Sequence, residues 1–112
     1  MSLTSTQTDT TQIVTVTASR IDAAMAIQFK EDMRATTDGG PGRVVLDLSD
    51  VEFIDSSGLG AIVAAMKQLG GNRMLDLAGL NPTVEKVFRL TRMDTVFRLF
   101  PTLDEAMAAP RG

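Results

Sequence analysis

A chain of 112 residues with 44% hydrophobic and 22% charged residues fits one globular domain that buries roughly two-thirds of its unfolded surface. A formal net charge of −3 gives no basic footprint for nucleic acid, and the lack of cysteine excludes disulfides and thiolate metal sites. Histidine is absent too, so the commonest general base and the commonest metal ligand are missing.

Residues 1–11 are rich in Ser and Thr, lack the basic patch and apolar core of a secretory signal, and read as a flexible tail. The folded domain is expected over 12–109. No apolar run approaches the ~20 residues of a membrane span, so a cytoplasmic protein with no membrane partner is expected. Ile13-Val14-Thr15-Val16-Thr17 is β-branched throughout and favours a strand. Asp22 then offers a cap for a helix whose apolar side includes Ala23, Ile27 and Met33. Asp38-Gly39-Gly40-Pro41-Gly42 breaks it. Val44-Val45-Leu46-Asp47-Leu48 is the near-continuous apolar run of a strand covered on both faces.

Residues 51–54 lead into Asp55-Ser56-Ser57-Gly58-Leu59-Gly60, and a helix over 57–69 ends at Gly70-Gly71. Met74-Leu75-Asp76-Leu77-Ala78 is a further strand. Asn81-Pro82 opens a helix packed through Val84, Val87, Phe88 and Leu90. Val96-Phe97-Arg98-Leu99-Phe100 predicts a last strand, and Thr102 caps a final helix to about Ala108. The pattern is an α/β single domain: a small, mostly parallel sheet of about four to five strands flanked by about four helices.

The Ser-Ser turn, between a strand and a helix, admits several chemistries. A nucleophile elbow needs glycine two residues before the serine, but Asp55 precedes Ser57 and Ile54 precedes Ser56 at that spacing. It also needs a histidine to take the proton. Gly58 and Gly60 offer backbone amides to an anion at the helix start, although neither the Walker lysine nor the dinucleotide fingerprint is present. Asp47, Asp50, Glu52 and Asp55 fall near one strand end and suit a hard cation, yet acids there also serve turns and caps. A serine that accepts a phosphoryl group from another protein is the remaining active reading. The plain alternative is that Ser56 and Ser57 cap the helix.

Val44-Val45-Leu46-Asp47-Leu48, with Val51-Glu52-Phe53-Ile54-Asp55-Ser56-Ser57-Gly58-Leu59-Gly60 after it, resembles the central motif of STAS domains, specifically bacterial anti-sigma-factor antagonists. The likeness covers about residues 12 to 109. It includes Leu75-Asp76-Leu77-Ala78-Gly79-Leu80-Asn81-Pro82 and the closing Leu103-Asp104-Glu105-Ala106. The resemblance implies a partner-switching regulator, not an enzyme, that needs no cofactor or metal. Its unphosphorylated form binds an anti-sigma factor serine kinase. That kinase phosphorylates Ser57, the modified protein lets go, and a metal-dependent serine phosphatase restores it. Asp55 and Ser56 shape the loop, and the kinase-contacting aspartate of the family maps onto Asp22. This chain has Ser19 where the family usually has glycine. If that glycine supplies a positive φ, a strained or rebuilt turn is expected at Ser19.

The helix after Ser57 is apolar nearly all round, so it is deeply buried or serves a second partner. Leu59, Ile62, Val63 and Met66 are expected in the core. Gly58, Ala61, Ala64 and Ala65 then form a small-residue face beside Ser57, or merely favour the helix. Arg89, Arg92 and Arg98 form a mildly basic patch, which is either a solvated face or a contact to an acidic partner. Alternatives to the antagonist are a STAS subunit or scaffold of a stress-sensing or lipid-transport complex, and a nucleotide-binding, phosphate-handling protein.

Overall fold

The computed structural model describes residues 3–8 and 10–110. The apolar run at 44–48 gives a central strand, β4 (Arg43–Asp47), that is buried at every position. The sheet around it has the order β1 (Leu3–Gln7), β2 (Thr11–Val16), β4, β6 (Met74–Ala78), β7 (Leu99–Phe100). All neighbours run parallel except β1 and β2, an antiparallel hairpin with Leu3 opposite Val16 and Gln7 opposite Gln12. Two short strands, β3 (Arg20–Ile21) and β5 (Phe53–Ile54), pair in parallel as a separate ribbon. The helices are α1 (Ala26–Thr37), α2 (Ser56–Leu69), α3 (Pro82–Leu90) and α4 (Leu103–Ala108). The fold is the expected α/β one, a mostly parallel five-stranded sheet with four helices.

Side chains alternate across the sheet and so divide it into two faces. Val14, Val16, Val44, Leu46, Leu75 and Leu77 point into the main core, where α1, α2 and α3 bring Phe29, Met33, Ile62, Val84 and Phe88. Phe88 meets Phe97 edge-on at 6.2 Å. On the opposite face Val45 and Ala78 pack on Ala106 of α4. Local chemistry sets the helix ends. Asn81 accepts a 2.8 Å hydrogen bond from the Val84 N–H with Pro82 at the first helical position, and Thr102 accepts one of 3.1 Å from the Glu105 N–H.

The structure departs from the sequence reading at several elements. Leu3–Gln7 is an edge strand rather than tail; residues 1, 2 and 9 lie outside the described residues. Four of its five positions are exposed, so its pairing rests on backbone hydrogen bonds and partners such as Thr4 opposite Thr15, and no apolar pattern betrays it. Asp22 does not cap α1. That helix begins at Ala26 after an uncapped Met25, while Asp22 holds the preceding turn by accepting from the Ala24 N–H at 3.1 Å. Ala23 and Ile27 are exposed, because the buried stripe of α1 is Phe29, Met33 and Thr37, and Ile27 sits two residues out of phase with it. Leu90 is exposed for the same reason, two residues beyond Phe88. The last strand contracts to Leu99–Phe100, because a 3-10 turn at Met93–Thr95 sends Phe97 into the core.

Candidate functional site

Strand β5 plants Ile54 in the core and hands the chain to Asp55, whose extended backbone (φ −96, ψ −177) aims its carboxylate along α2. Asp55 Oδ1 accepts from the Gly58 N–H at 2.8 Å, which makes Asp55 the cap of α2. Its Oδ2 accepts from the Ala23 N–H at 3.1 Å. One carboxylate therefore fastens the turn after β3 to the start of α2. The Gly58 N–H is the main reason its pKa lies below the ordinary aspartate value; partial burial opposes the shift, while the Ala23 and Ser57 N–H groups and Arg20 add to it.

With Asp55 in the capping role, Ser56 and Ser57 are released from it. They are the first two residues of α2, both exposed, at the positive end of a 14-residue helix. The simple reading of the two serines as caps is corrected. A free amide cradle at Gly58 is corrected too, because a carboxylate already occupies that N–H.

Asp22 belongs to the same patch through the turn that Asp55 holds. Its carboxylate lies 3.2 Å from the Arg20 guanidinium. Ser19 carries no strain: Arg92 is the only non-glycine with positive φ among the described residues, and the Ser19 carbonyl accepts from the Glu52 N–H at 2.7 Å. The turn keeps ordinary backbone angles with serine at this position. Arg20 and Phe53 are members of the patch that sequence reasoning missed. They face each other across the β3–β5 ribbon, with the guanidinium 5.1 Å from the ring centroid and the ring partly exposed. A strand of two residues leaves no periodic signal, so nothing in the sequence joined them.

The expected small-residue outer face of α2 is largely an inner one. Gly58 is buried, and a Cβ on it would overlap the Ile21 carbonyl oxygen. Ala61 is 2% exposed and Ala65 4%. These small residues allow α2 to lie close to β3 and α1, so Gly58 and Ala61 support the site from beneath. Ala64 alone of the set is half-exposed, in a groove beside α1. Ile62 is in the core as expected, with Leu59, Val63 and Met66 packed around it.

The other clusters dissolve. Asp47 turns to accept from the Ser49 N–H at 3.0 Å, and no group of three or more acids close enough to hold a metal occurs among the described residues. Arg89 pairs with Glu85 at 3.0 Å and Asp94 at 3.6 Å, while Arg98 pairs with Asp76 at 2.7 Å, so the late arginines do not form one patch. No helix among the described residues is long and apolar enough to cross a membrane.

Fold and site together define a small α/β domain that displays a serine hydroxyl at a helix start capped by the preceding aspartate. The family model of the STAS domain matches residues 2–106, and the chain belongs to that family. Within it, the chain is 30% identical over 92 residues to the anti-sigma-F factor antagonist RsfB of Mycobacterium tuberculosis, covering 82% of this chain and 75% of that protein. The crystal structure of an anti-sigma factor antagonist from Mycobacterium paratuberculosis matches with a TM-score of 0.86 at 31% identity, over 99% of this chain and 94% of that one. The Bacillus cell fate determinant SpoIIAA in its phosphorylated form shares the fold, with a TM-score of 0.67 at 20% identity, over 95% and 96% of the two chains. The sequence resemblance to anti-sigma-factor antagonists holds at the level of the family.

Proposed function

We propose that this protein is a cytoplasmic anti-sigma-factor antagonist, a binding module rather than an enzyme, switched off by phosphorylation of Ser57. The unmodified form binds an anti-sigma factor that is also a serine kinase. The Ser57 hydroxyl gives up its proton and takes the γ-phosphoryl group of ATP, leaving ADP on the kinase. A metal-dependent serine phosphatase then hydrolyses the phosphoserine with water and restores the binding form. Asp22, Asp55 and Ser56 form the rest of the contact, and Ala64 lies at its margin.

The observation that carries this reading is the exposed Ser57 hydroxyl at the start of α2, freed from capping by Asp55. A hydroxyl so placed is reachable by a kinase, and the helix dipole tolerates the added charge. The relatives named as anti-sigma factor antagonists supply the partner class. A protein of the same fold is known in a phosphorylated form.

The test incubates the protein with the anti-sigma factor kinases of its source organism and ATP, then maps phosphate by mass spectrometry. Phosphate confined to Ser57, absent from S57A, and loss of kinase binding in S57D are expected. Labelling undiminished in S57A would overturn the acceptor assignment. Binding untouched by S57D would overturn the switch.

A further inference from the structure

Helices α1 and α2 enclose a feature that the Ser57 switch leaves unused. A groove of about 200 Å³ runs between them, lined by Lys30, Glu31, Arg34, Ala64, Ala65 and Gln68. Its floor is alanine and its rims are long charged side chains. None of Lys30, Arg34 and Glu31 forms an ion pair among the described residues, so two cations against one carboxylate leave the groove a local excess of one positive charge on a chain of net charge −3.

Ile27 stands one turn before the groove and is 70% exposed. Ile27, Lys30 and Arg34 follow helical spacing on one face of α1, turned away from the Phe29–Met33–Thr37 stripe that enters the core. On α2, Ala64 and Gln68 come two and three turns after Ser57 on the same face. The groove therefore lies on the same side of α2 as Ser57, two turns further along the helix. An aliphatic anchor, a small-residue floor and two unpaired cations are the parts of a helix-binding groove.

We propose that the α1–α2 groove receives an amphipathic helix of the anti-sigma factor, with an aliphatic side chain on Ile27 and acidic residues against Lys30 and Arg34. The proposal rests on the functional reading above and names the chemistry of its partner. Charge chooses the occupant: a two-fold pair of this chain would set Lys30 and Arg34 of one copy against the same cations of the other, whereas an acidic helix neutralises both. Ala64 and Ala65 allow that helix to approach closely.

The experiment measures affinity for the anti-sigma factor kinase by calorimetry, and phosphorylation of Ser57, in I27A, K30Q/R34Q and K30E/R34E. All three positions are exposed, so the variants keep the fold, which thermal melting checks. K30E/R34E is expected to weaken binding about tenfold or more, K30Q/R34Q less, and I27A about tenfold. Saturating kinase should still place phosphate on Ser57 in each. Wild-type affinity in all three variants would overturn the groove proposal while leaving the Ser57 switch standing. Failure of the wild type to bind any such kinase would overturn both. A wild-type dimer, seen by sedimentation and lost in K30E/R34E while kinase affinity stays unchanged, would assign the groove to a second copy and also overturn the proposal.

Discussion

At the scale of single residues, the Asp-Ser-Ser-Gly motif divides its work unevenly. Asp55 spends both oxygens on backbone N–H groups from two segments, and this leaves the Ser57 hydroxyl free of the capping role. Gly58 is required by space, because backbone of β3 already occupies the position of its missing side chain. Gly60, one turn position later, has nothing within 4 Å of such a Cβ. The two glycines therefore predict opposite outcomes. G58A is expected to destabilise by about 1–3 kcal/mol, since overpacking against backbone exceeds the gain in helix propensity. G60A is expected to be neutral or to gain up to about 1 kcal/mol from that propensity. Urea denaturation of both variants decides it, and a G58A protein as stable as the wild type would refute the close contact. The sequence displayed the motif plainly but not this division, because the contact with Ile21 joins residues 37 positions apart in the chain through a ribbon without a pattern of its own.

At the scale of elements, what the sequence revealed followed burial. Strands β4 and β6 and helices α2 and α3 were legible because one or both faces meet a core, which imposes period and composition. Strand β1 and the β3–β5 ribbon were not, because backbone pairing at an exposed edge asks little of side chains. Polar residues inside strands were also opaque. Arg43 and Asp76 lie at 3% and 1% exposure on neighbouring strands and pair at 2.9 Å. Asp76 also takes Arg98 at 2.7 Å, while Arg43 donates to the Ala106 carbonyl of α4 at 2.8 Å. The network latches α4 onto the sheet. D76A would leave Arg43 buried beside no carboxylate, and a loss of about 3–5 kcal/mol is expected. Replacing both partners, in R43M/D76L, is expected to cost much less than D76A, because no charge is then stranded. Arg98, one-third exposed, can turn to water in either variant. Chemical denaturation of the single and double variants measures the difference, and equal losses would show that packing of α4 rather than charge dominates.

At the scale of the molecule, the sheet and three helices share one packed core, and the proposed switch sits on the rim of that frame. The Ser57 hydroxyl is exposed without any movement of α2, so phosphorylation needs no rearrangement of the core. In the proposed switch, release of the partner must then come from the phosphate itself. A hydroxyl that accepts a phosphoryl group has to lie against the donor nucleotide. The transferred group, carrying about −1.5 to −2 charge, therefore faces the diphosphate left behind and has Asp55 beside it. Like charges at such range in a partly dehydrated interface repel strongly. Two outcomes follow for the Ser57-phosphorylated protein. Amide shift changes relative to the unmodified protein are expected only near 20–24 and 53–61, with the strand residues beneath α4 unmoved. The loss of affinity for the kinase is expected to be larger when the kinase holds ADP than when its nucleotide site is empty. Calorimetry with the two kinase forms makes the comparison. An equal loss in both would mean that the phosphate acts by bulk alone, and shift changes reaching Val45 or Ala78 would mean that the frame itself responds.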